Sequence, residues 1–108
     1  MTNRDKLFNY VTAPLKSELV TLPGGAQVKV REMTARESSG MAEKKEAGEE
    51  AVRRCMVLAC SLDPETGEPM FTPPDIEALM AGPAAVVNAI VSAVVRLSNP
   101  TVEVAEGN

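Results

Sequence analysis

At 108 residues the chain is long enough for one domain and no more, and 44% hydrophobic with 24% charged residues is a globular composition. A formal net charge of -4 supplies no field toward phosphate backbones, and 3% aromatics leave few rings for base stacking, so nucleic-acid binding is not expected. The absence of histidine removes the commonest general base and zinc ligand and argues against an enzyme.

Residues 1–16 hold an apolar cluster of Leu7, Phe8, Tyr10 and Val11 with no clear period. A short packed arm and a helical turn both fit. Met1 to Lys6 is polar and no apolar stretch of signal-peptide type follows.

Residues 17–31 carry the clearest β signal. Leu19, Val20 and Leu22 lead into Pro23-Gly24-Gly25, after which Val28 and Val30 alternate with Gln27, Lys29 and Arg31. The alternation predicts a strand with one buried face, and the glycines supply the positive φ of a tight hairpin turn. The Gly-Gly pair is not followed by Lys-Ser or Lys-Thr, so a phosphate loop is not expected.

Thr34 with Glu37 is a capping-box pattern, and a weakly amphipathic helix should run from Ala35 to about Glu46. Gly40 and Gly48 weaken it, so this is the expected mobile part of the fold. A firmer helix should span Glu49–Leu62, where Val52, Cys55, Met56, Ala59 and Cys60 recur at helical spacing. Cys55 and Cys60 differ by about 140° of helix rotation, so they read as two reduced core thiols. The helix should end before Asp63-Pro64, because a residue preceding proline avoids the α region.

Residues 63–69 form a turn whose carboxylates Asp63, Glu65 and Glu68 lack calcium-loop spacing. Thr72, Pro73 and Asp75 start the next helix as N-cap, N1 and N3, with Ile76, Leu79 and Met80 inward. Gly82-Pro83 stops it and opens a last helix over 83–98. That run is shorter than the roughly 20 residues a membrane span needs.

On the last helix Asn88, Ser92 and Arg96 form one polar stripe. Val86, Ile90, Ala93 and Leu97 form one apolar ridge; Val87, Val91, Val94 and Val95 form a second. One ridge suffices for a core. Either both are buried, between helix 49–62 and the hairpin, or the second is left for contact with another copy or a different partner. Under the contact reading the partner-binding residues are Val87, Val91, Val94 and Val95. Met33, Met41, Met56, Met70 and Met80 serve as core filler or as an adaptable surface.

Taken together, the segments LVTLPGGAQVKVREMTARE, CSLDPETGEPMF and TPPDIEALMAGPAAVVNAIVSAVVRLSN resemble the tail assembly chaperones of long-tailed bacteriophages, from about Leu15 to Asn99. The resemblance implies a non-enzymatic protein of the host cell cytoplasm, absent from the mature virion. It would keep the tape measure protein soluble, help recruit tail tube protein, and self-associate. It also implies a longer frameshift product in many members, for which residues 101–108 are a plausible site of extension. A small structural virion subunit of the tail or connector is the alternative.

The expected architecture is α+β: an N-terminal β-hairpin followed by a small bundle of three to four helices. Residues 1–100 form the domain and 101–108 a flexible tail. No cofactor, metal or membrane is expected.

Overall fold

The computed structural model describes residues 1–98. The elements in chain order are α1 (Asn3–Val11), β1 (Ser17–Thr21), β2 (Gln27–Arg31), α2 (Ala35–Glu46), α3 (Glu49–Cys60), β3 (Ser61–Leu62), α4 (Pro73–Ala81) and α5 (Ala84–Ser98). The class is α+β, and four helices follow the hairpin as expected. The expected tail 101–108 lies outside the described residues.

β1 and β2 pair antiparallel with Glu18 opposite Val30 and Val20 opposite Val28. That register puts the two valines of β2, both fully buried, on the face that meets the helices. Leu19 points to the opposite face and stays exposed. Gly24 and Gly25 both sit at φ 94°, a region that side chains disfavour. The turn closes when the Gly25 amide donates to the Leu22 carbonyl and the Leu22 amide to that of Ala26.

Two features differ from expectation at either end of the hairpin sheet. The first is α1. Its Thr2 and Asp5 make a reciprocal capping box, a signal that apolar periodicity does not carry. The result is a nine-residue helix with no buried residue, so the packed-arm alternative does not hold. The second is β3. The helix expected to reach Leu62 stops at Cys60, because Ser61 and Leu62 are extended and pair with Val30 and Lys29 of β2. This adds a third strand in the order β1-β2-β3.

The 61–70 segment folds back on itself. The Met70 amide donates to the Ser61 carbonyl, and the Asp63 amide to that of Glu68. The Asp63 carboxylate accepts the Glu65 and Thr66 amides at 2.8 and 3.3 Å, so it closes a turn. No group of carboxylates or thiols among the described residues could hold a metal ion.

The core lies between the sheet and the helices. Val28 and Val30 share one buried cluster with Ile90, Ala93 and Val94 of α5, Met56, Val57 and Cys60 of α3, and Ile76 of α4. Burial holds the Cys60 thiol up at about 11, well above an ordinary cysteine. The α2 N-terminus is held by Arg31, whose guanidinium makes two bonds of 2.8 and 2.9 Å to the Glu37 carboxylate. Glu37 completes the expected capping box with Thr34. No single helix among the described residues is long and apolar enough to cross a membrane.

Candidate contact surfaces

Helix α5 decides between the two readings of its apolar ridges. Its buried residues are Val87, Ile90, Ala93 and Val94. At about 100° per residue these fill an arc of roughly 120° centred near Ile90. The arc takes two members from each ridge. α5 packs on α3, α4, β1 and β2 at once, so the cover comes from several directions.

The four valines therefore do not form one exposed ridge. Val87 and Val94 are sealed in the core, at 5% and 0% exposure. Val91 lies half-buried at the arc's edge, and Val95, a further 40° round, is 42% exposed. Arg96 reaches across to Glu18 of β1 and Arg53 donates to Asn88 at 2.5 Å, so the polar stripe of α5 ties the helix to its neighbours.

Of the two readings of the methionines, core filler describes most of their surface. Met56 belongs to the buried core, and Met33, Met41, Met70 and Met80 are half-buried against it. Met41 has a second role. With Gly40 of α2 and Cys55, Leu58 and Ala59 of α3 it lines an open groove of about 330 Å³, rimmed by Glu37 and Lys44. The lining is almost wholly apolar. A smaller hollow of about 180 Å³ continues it past Cys55 and Leu58 toward Pro73 and Ile76.

Among the described residues the largest group of exposed apolar side chains lies elsewhere. Leu7, Phe8, Tyr10 and Val11 of α1 are all about half exposed or more, and Leu15 follows at the end of the linker. Leu7, Tyr10 and Val11 stand at i, i+3 and i+4, on one helix face. No other element is among those α1 packs against substantially. The apolar content of this segment was legible in the sequence. Its helical form followed from Thr2 and Asp5.

The architecture, an N-terminal helix, a hairpin extended by β3 to three strands, and the helices α2 to α5, has a precedent. The fold is similar to that of the tail assembly chaperone of bacteriophage HK97. The match covers 91% of this chain and 98% of the HK97 chain, with a TM-score of 0.64 and 16% sequence identity. The chain and the HK97 protein are thus alike over nearly their whole lengths in fold. No protein-family model and no curated protein sequence matches the chain.

Proposed function

We propose that this chain is a non-enzymatic tail assembly chaperone of a long-tailed phage, acting in the host cytoplasm and left out of the finished virion. The observation that carries this reading is the near full-length fold similarity to the HK97 chaperone. The sequence segments that resemble the same family support it independently.

Its clients, on this reading, are the tape measure protein, which it keeps soluble, and the tail tube protein, which it helps to recruit. The client contact is assigned to the outer edge of α5. There Val95 is exposed and Val91 half-buried, backed by Val87 and Val94 from the core side. An apolar helical client would cover that edge at little cost, because the backing is already rigid. Neither nucleic acid nor a membrane has a part in this scheme.

Co-expression with the tape measure protein of the same phage tests the proposal. The expected result is a soluble tape measure protein that co-purifies with this chain. A tape measure protein that stays insoluble, together with recovery of this chain in purified particles, would move it to the small structural subunits of the tail or connector.

A further inference from the structure

The sheet has one closed edge and one open edge. At β3 the chain folds back on itself: Leu62 bridges to Pro69, and the Met70 amide donates to the Ser61 carbonyl. At the other end the strand order stops at β1, and among the described residues no strand lies beyond it. We infer that the β1 edge is a docking site for an extended segment of another protein, one that alternates apolar and acidic residues and joins the sheet as a fourth strand.

The hydrogen bonding shows which groups the edge presents. The Leu22 amide donates to the Ala26 carbonyl and the Glu32 amide to that of Lys16, so the even-numbered positions of β1 are the ones bonded to β2. Ser17, Leu19 and Thr21, at the alternate positions, turn their amides and carbonyls outward. None of these backbone groups has a hydrogen-bond partner among the described residues. Such a row is a template for strand addition, in which main-chain bonds supply affinity and alternating side chains supply specificity.

The two faces of the edge select different side chains. On the face toward the helices Val20 is half-buried, although Val28 opposite it is fully buried. An apolar side chain on an added strand would complete its cover. On the outer face Leu19 lies opposite Lys29, and both are exposed. Among the described residues neither Lys29 nor Lys16, which precedes the strand, is in an ion pair. Glu18 is neutralised by Arg96, so Lys16 and Lys29 stand against Glu32 alone, and Glu32 accepts the Lys16 amide at 2.6 Å. The preceding arm adds Arg4 and Lys6 against Asp5. The edge is net basic on a chain that is net acidic, so carboxylates on the outer face of a docked segment are attracted and lysines there are repelled.

The same charges disfavour a second copy at this edge. Pairing β1 with another β1 would bring two Lys29 faces together, and like charges across a sheet are destabilising. The one acid within β1, Glu18, is already held by Arg96. The occupant is also distinct from the apolar helical client assigned to the outer edge of α5, because its main-chain bonds require an extended backbone.

The probe is a capped peptide of about seven alternating valine and glutamate residues, long enough to span β1. It is titrated into the purified full chain up to about 1 mM, the weak end of specific affinity. Amide exchange followed by NMR should slow at Ser17, Leu19 and Thr21. A valine–lysine peptide should leave those amides unchanged, and so should a valine–glutamate peptide N-methylated throughout, which cannot donate. Leu19→Pro removes an outward donor and no bond to β2, so it should weaken binding roughly tenfold, the value of one hydrogen bond. Circular dichroism reports whether that variant folds, and the N-methylated peptide, which leaves the protein untouched, carries the test if it does not. Lys29→Glu should weaken the valine–glutamate peptide and admit the valine–lysine one. Absence of slowing at the three amides overturns the inference, as does equal slowing by both charge types or by the N-methylated peptide. Slowing that rises with protein concentration in the absence of peptide also overturns it and gives the edge to a second copy. No tape measure protein enters the experiment, so each of these results leaves the client-binding proposal standing.

Discussion

The backbone amide of Met33 donates to the hydroxyl of Ser98 at 2.9 Å, across 65 residues of sequence. The end of α5 thereby holds the junction between β2 and α2. Arg96, two residues earlier, reaches Glu18 of β1. The sheet and the last helix are joined at this end by polar contacts and in the middle by the valines of β2.

Ser98→Ala removes the acceptor of a partly buried amide. The expected loss is about 1 kcal/mol, the net value of a typical hydrogen bond in a protein. Urea denaturation should show an earlier midpoint with an unchanged slope.

The Arg31–Glu37 pair sets an acid limit. The paired guanidinium, aided by the Thr34 amide, brings the Glu37 carboxyl from 4.5 down to about 2. A lowered folded value means the pair stabilises the protein fully above about pH 4.5, with the contribution falling away between there and about pH 2. Allowing for solvent screening at this partly exposed site, the contribution is about 1–2 kcal/mol. Glu37→Gln should lower stability at neutral pH by that amount and flatten the dependence within the window, measured by thermal melts from about pH 6 to about pH 2.

Substitutions along α5 should divide by burial. Ile90→Ala opens a cavity in the core and should cost about 2–5 kcal/mol. Val94→Glu buries an unpaired carboxylate and should prevent folding. Val95→Glu should leave the melting curve nearly unchanged while weakening co-purification of the tape measure protein. A Val95→Glu chain that folds and still binds fully would remove the client contact from this edge.

Ser61 is fully buried, and its hydroxyl has no hydrogen-bond partner among the described residues. An unsatisfied buried hydroxyl costs roughly 1–3 kcal/mol, so Ser61→Ala should raise stability by about 1 kcal/mol. Chemical denaturation of the two proteins side by side gives the sign.

The cysteines should react in sequence. Cys55 lines the open groove, and Cys60 is buried with its thiol held up at about 11. A thiol reagent at pH 8, roughly the range where an ordinary cysteine begins to ionise, should label Cys55 in the native protein and Cys60 only on unfolding.

Several parts of this structure were legible in the sequence because their causes are local. Thr34 with Glu37 starts α2 at Ala35, and Thr72 with Pro73 and Asp75 starts α4. Gly24 and Gly25 take the positive φ that closes the hairpin. Each depends on groups a few residues apart, so the chain alone determines it. Thr2 with Asp5 is the same kind of signal at α1, hidden by the irregular apolar spacing beside it.

What the tertiary structure decided is which surfaces face each other. The two apolar ridges of α5 are chemically alike, and nothing within the helix chooses between them. The choice falls to α3, α4, β1 and β2, whose combined cover is centred on Ile90 and divides both ridges. β3 exists because β2 offers Ser61 and Leu62 a strand to pair with. Local hydrogen bonding is short-ranged and written in adjacent residues; burial depends on surfaces that only folding brings together.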